Sequence, residues 1–108
     1  MLESANVRTA SDRALTREQI TERLGDLPGW VLEGKQIRRQ WTFRDHYQAI
    51  AFVNAVAWVS HQTDHHPEIQ VGYNKVWVTY STHSSGGVSE KDLLCAAKVS
   101  SLQRLDGP

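Results

Sequence analysis

Two pairs of short alternating segments, separated by one long helical pattern, constrain this chain more than any other feature. Residues 68–73 set Ile69, Val71 and Tyr73 on one side, Glu68 and Gln70 on the other. After an Asn74-Lys75 turn, residues 76–82 oppose Val76, Val78 and Tyr80 to Trp77, Thr79 and Ser81. A period of two marks a strand with one buried face, so this pair reads as a hairpin. Residues 30–33 and 36–43 make the earlier pair, turning at Gly34. Ile37, Arg39, Trp41 and Phe43 share a face there, and Arg39 interrupts its apolar character.

Between the pairs, residues 45–63 place Tyr47, Ile50, Ala51, Val53, Ala57 and Trp58 near a 3.6-residue period, and Phe52 and Val56 widen the stripe. A helix lying across a sheet with that stripe inward is expected. Pro67 prevents its continuation and biases His66 toward extended backbone. Thr16 with Gln19 fits a capping box, opening a short helix that buries Ile20, Leu24 and Leu27. Ser89 caps a last helix, with Glu90 and Asp92 in its first turn and Leu93, Leu94, Ala97 and Leu102 on its buried side. The Ser-Ser-Gly-Gly run at 84–87 reads as a flexible loop. The expected fold class is therefore α+β: a four-stranded antiparallel sheet with helices packed on one face, in the order α-β-β-α-β-β-α. Residues 1–15 are expected as a flexible N-terminal tail, and residues 16–106 as a single domain.

Composition narrows the function classes. Among 108 residues, 12 Lys and Arg balance 12 Asp and Glu. No basic excess serves a phosphate backbone, so no nucleic-acid partner is expected. No apolar run approaches the roughly 20 residues of a membrane span, and the N-terminus lacks a secretory apolar core, so a cytoplasmic location is expected. Cys95 is the single cysteine, which excludes an internal disulfide and a Cys-based zinc site.

Four of the five histidines fall at 61, 65, 66 and 83, near the ends of expected elements. One reading is metal binding: His61 and His65, four apart, share a helix face, and His83 completes three ligands. Against it, Pro67 frays the helix near His65, and no Glu sits between the two in the H-E-x-x-H manner. The other reading is metal-free acid–base chemistry, since imidazole titrates closest to neutral pH. His65, His66 and His83 would converge on one ligand, and Asp92 would orient an imidazole. Thr82, Ser84, Ser85 and the Gly86-Gly87 amides would offer polar contacts to a heterocycle. Taken singly, each histidine also fits a cap or a solvent-facing position. The four tryptophans read as core and interface aromatics, and Cys95 as a small buried residue.

The run His61-Gln-Thr-Asp-His65-His66-Pro67-Glu68, then Tyr73-Asn74-Lys75-Val76, Ser81-Thr82-His83 and Val88-Ser89-Glu90-Lys91-Asp92, resembles the pterin-4a-carbinolamine dehydratase family. The resemblance implies the same four-stranded fold, and dehydration of 4a-hydroxytetrahydropterin to quinonoid dihydropterin without metal or organic cofactor. It implies His65, His66 and His83 as the acid–base set, with His66 the essential member and Asp92 tuning His83. It places His61, Pro67, Ser81, Thr82, Ser84 and Ser85 around the pterin. The first motif position, acidic in many members, is His61 here. The resemblance further implies a homodimer or homotetramer and a functional link to an aromatic amino acid hydroxylase. Some relatives bind a transcription factor or act in assembly without catalysis, so a binding, assembly or coactivator-like module of the same fold is the alternative.

Overall fold

The structure, a computed structural model, describes residues 7–102. Local capping decides where its helices begin. Thr16 Oγ1 accepts from the Gln19 amide at 3.1 Å, and Gln19 Oε1 accepts from the Thr16 amide at 2.8 Å. Both halves of the capping box are made, and helix α1 runs Arg17–Leu24. Asp45 accepts from the Gln48 amide at 2.9 Å and opens α2, His46–Thr63. The last helix, α3, is Glu90–Leu102. The strands are β1 (Val31–Glu33), β2 (Gln36–Thr42), β3 (Glu68–Val71) and β4 (Lys75–Tyr80). They form one antiparallel sheet in the order β1-β2-β4-β3. The fold class and element order are those expected from the sequence. The two hairpins join through β2 and β4, with Ile37 opposite Tyr80 and Trp41 opposite Val76.

One sheet face carries the core. Ile37, Trp41, Val76, Val78 and Tyr80 are buried against Phe52 and Val56 of α2 and Leu93, Cys95, Ala96 and Val99 of α3. Trp30 meets Trp41 edge-on, with ring centroids 5.7 Å apart, and Phe52 packs on Trp41 at 4.8 Å. Arg39 sits on this face without breaking it. Its guanidinium lies over the Trp41 ring at 4.6 Å and donates to Ser100 Oγ at 3.2 Å, which keeps the charge satisfied at the core margin. Burial lowers its pKa from the ordinary 12.5. Gly29, at φ 92°, makes room for that packing: a Cβ there would stand 2.7 Å from Arg39 Nε.

Three expectations are corrected. In α2 the buried residues are Ala49, Phe52, Val56, Val59, Ser60 and Thr63, while Tyr47 is 84% and Trp58 60% exposed. This helix is apolar around most of its circumference, so its period carries no unique phase. Two buried hydroxyls escaped notice because each bonds within the helix: Ser60 Oγ to Val56 O at 3.1 Å and Thr63 Oγ1 to Val59 O at 2.8 Å. In α3, Cys95, Ala96 and Val99 face inward with Leu93, and Ala97 is exposed. The stretch at 84–87 is a bonded turn: Ser85 and Gly86 amides donate to Thr82 O at 3.1 and 3.0 Å, and Thr82 bridges Gly87. Within the expected tail, Val7 is fully buried and the Leu15 amide donates to Val88 O at 2.8 Å, while residues 8, 9 and 11–14 are exposed. Residues 1–6 of that tail, and the domain end placed at 106, lie outside the described residues.

Candidate active site

The histidine pair owes its placement to the end of α2. Asp64 closes the helix in the left-handed region, at φ 55° and ψ 38°, and its amide donates to Ser60 O at 2.9 Å. Asp tolerates this conformation better than most residues, and Pro67 forbids a further helical turn. His65 is then half-buried beneath the sheet end, and His66 is exposed.

His65 Nε2 lies 2.6 Å from Asp92 Oδ1. The Asp92 side chain is fully buried, and its Oδ2 accepts from Thr82 Oγ1 at 2.7 Å and from the Ser89 amide at 2.9 Å. The last bond is the reach-back half of a capping box, with Asp92 three residues beyond Ser89. Thr82 spends its one hydroxyl proton on Asp92, so Ser89 Oγ donates to Thr82 Oγ1 across 2.7 Å. A carboxylate only accepts, so His65 Nε2 carries a proton and a neutral His65 keeps its lone pair on Nδ1. That nitrogen has no protein partner among the described residues. Tyr80 stacks on the imidazole, 5.7 Å between centroids at 11°. Burial raises the Tyr80 pKa and pushes the neighbouring Cys95 thiol up to about 11, so both present uncharged groups here.

A cleft of about 350 Å³ opens at the next residue, His66, lined by Gln36, His66, Pro67, Glu68, Thr79, Ser81 and His83, with His65 and Asp92 outside its lining. By strand alternation Gln36, Thr79 and Glu68 project from the helix-free sheet face, opposite Ile37, Val78 and Tyr80. His83 begins the 3-10 turn His83–Ser85 and is exposed. His66 and Pro67 also border a second groove of about 340 Å³ with Ala57, Ser60, His61 and Ile69.

Four of the expected site residues, His66, Pro67, Ser81 and His83, share the cleft. Others stand elsewhere. Asp92 was expected beside His83 and instead holds His65. Thr82, expected to touch a ligand, is buried and committed to Asp92. Ser85 Oγ donates to Thr82 O at 3.1 Å, and neither Ser84 nor Ser85 lines the cleft. His61 lies on the outer side of α2, stacked on Trp58 at 5.7 Å. No group of three or more His, Cys, Asp or Glu among the described residues is arranged to hold a metal ion. Gln36, Glu68 and Thr79 were missed. The alternation of residues 76–82 already put Thr79 beside Ser81, whereas Gln36 joins only through the β2–β4 pairing, which has no local signal.

Comparison with known proteins agrees with this geometry. The family model described as Pterin 4 alpha carbinolamine dehydratase matches residues 13–102. Two relatives bear the name "Putative pterin-4-alpha-carbinolamine dehydratase". That of Nitrosospira multiformis is 54% identical over 88 residues, covering 82% of this chain and 78% of its own. That of Dechloromonas aromatica is 56% identical over 79 residues, covering 73% and 70%. Among solved structures, a transcriptional coactivator/pterin dehydratase from Brucella melitensis superposes with a TM-score of 0.79 at 37% identity, over 83% of this chain and 98% of that one. A pterin dehydratase-like protein described as a RuBisCO assembly factor in the alpha-carboxysome gives a TM-score of 0.62 at 28% identity, over 70% and 90%. The family match runs from the segment before α1 to the end of α3 and so takes in the histidine end of the sheet along with the framework that builds it: the chain belongs to the pterin-4-alpha-carbinolamine dehydratase family.

Proposed function

We propose that the protein dehydrates 4a-hydroxytetrahydropterins to quinonoid dihydropterins by imidazole acid–base chemistry, without a metal or organic cofactor. The observation that carries this reading is the division of three histidines at one sheet end. His65 is clamped on a buried carboxylate, and His66 and His83 stand open in one cleft. The reaction needs two proton transfers. An imidazolium protonates the 4a-hydroxyl, the C4a–O bond breaks, and water leaves. A second imidazole takes the proton from the adjacent ring nitrogen as the C=N bond forms. Groups titrating near neutral pH suit both steps. A cleft of about 350 Å³ falls in the size range of small-molecule sites. Such a substrate arises when an aromatic amino acid hydroxylase uses its pterin, which is the functional link we propose.

The experiment is stopped-flow dehydration of 4a-hydroxytetrahydropterin. Wild type is expected to exceed the spontaneous rate, and His66→Ala to lose roughly 100-fold or more of that acceleration. Absence of acceleration by wild type overturns the reading in favour of an assembly role, as described for the RuBisCO assembly factor with this fold.

We also propose a homodimer or homotetramer built on the outer side of α2, where Tyr47 and Trp58 leave large apolar surfaces in water. Light scattering is expected to give a multiple of 12.2 kDa. Tyr47→Ser with Trp58→Ser should shift it toward a single chain.

A further inference from the structure

We infer that Glu68 selects the pterin by accepting hydrogen bonds from its 2-amino and N3–H groups, with Gln36 as the second polar contact to that edge. The inference rests on the dehydratase reading of the cleft. Glu68 opens β3 two residues beyond His66 and lines the same cleft as His66 and His83. Its carboxylate has no hydrogen bond or ion pair with any described residue. Arg38, in the same row across β4, is engaged elsewhere: it donates to Gln70 Oε1 at 2.9 Å and lies 3.9 Å from Glu33. Glu68 is exposed, so its acceptor-only carboxylate is open to a ligand with adjacent donors that enters the cleft. The pterin has such an edge, N3–H beside the exocyclic 2-amino group. C2, which bears that amino group, stands across the pyrimidine ring from C4a, the reacting carbon. A ring with C4a toward the imidazoles therefore turns its donor edge toward another cleft wall, and Glu68 is the one carboxylate among the lining residues. Gln36 supplies an amide able to donate to the 4-oxo group or accept from the amine.

The test is equilibrium binding of 7,8-dihydropterin and of 7,8-dihydrolumazine, which carries a 2-oxo group in place of the amine, to wild type and Glu68→Gln. Wild type is expected to prefer the pterin. Glu68→Gln should weaken pterin binding about 10- to 100-fold and weaken lumazine by no more than about threefold: the Gln amide oxygen still accepts from N3–H, which both ligands carry, whereas the charge-assisted bond to the 2-amino group exists only with the pterin. Thermal melting of the variant at the wild-type temperature confirms the fold. Wild-type turnover with unchanged pterin affinity in Glu68→Gln overturns this inference alone, as does an equal loss for both ligands. A wild type that neither binds dihydropterin nor accelerates dehydration overturns the dehydratase reading with it.

Discussion

The first turn of α3 carries two acids, Glu90 and Asp92, and each meets a basic partner at 2.6 Å. Glu90 bonds Arg23 of α1 through both carboxylate oxygens, at 2.6 and 2.7 Å, with side chains 30% and 44% exposed. Asp92 bonds His65 with side chains 0% and 15% exposed. Length does not separate the two contacts; surroundings do. Water and salt screen the outer pair, and such pairs typically stabilise by about 0.2–1 kcal/mol. The inner carboxylate is out of reach of water and depends on every donor around it, so removing either side leaves buried polar groups without partners. The costly contact also fixes the His65 imidazole, one residue before the cleft-lining His66, so a rigid polar group stands next to the site where the proposed chemistry would use it.

Substitutions can break that contrast. The largest effect is expected from Asp92→Ala. It strands the Thr82 hydroxyl, the Ser89 amide and His65 Nε2, and should lower stability by roughly 3–5 kcal/mol in urea unfolding. Turnover should fall with it, and Asp92→Asn separates the two effects by keeping volume while adding a donor where only acceptors fit. A loss below about 1 kcal/mol for Asp92→Ala would put the inner pair in the class of the outer one. Next comes Thr82→Val, which keeps shape and removes one donor to Asp92. It should cost about 1–3 kcal/mol, and Thr82→Ser should recover most of it. Equal losses for the two variants would mean that packing of the methyl, not the hydroxyl bond, is what matters at this position.

The same contrast explains how far the sequence can be read. The capping box at Thr16 and Gln19, the Asp45 cap and both hairpins were legible because each is a local rule with a local partner. That His66, Pro67, Ser81 and His83 share one cleft was legible because element ends gather in space at one end of the sheet. The Asp92 partner was not. His83 lies closer to α3 in sequence, His65 is 27 residues from Asp92, and only the packing of α3 on α2 brings the more distant histidine to the carboxylate. Thr82 looked like a ligand contact because its neighbours Ser81 and His83 line the cleft. Strand alternation carries over past the end of β4, and it turns Thr82 inward while they face the cleft. The phase of α2 was illegible for a different reason: with apolar residues on most sides, Phe52 and Trp58 compete equally on paper, and only docking on Trp41 decides.

The smallest effect sharpens the contrast most, because pH can switch it. Arg23 hydrogen-bonds the Glu90 carboxylate and holds its pKa below the ordinary 4.5, outweighing the opposite effect of partial burial. An acid with a depressed pKa in the folded state adds stability above its unfolded pKa and loses it as pH falls through the folded value. Glu90→Gln should therefore cost about 0.2–1 kcal/mol at pH 7, toward the low end because Arg23 is nearly half exposed, and less at high salt. Below pH 4.5 wild type and variant should converge as the carboxyl protonates in both states. Convergence would assign the outer pair's contribution to charge. A difference that persists at low pH would assign it to the packing of two side chains that bridge α1 and α3, and the outer contact would then resemble the inner one in depending on shape as much as on electrostatics.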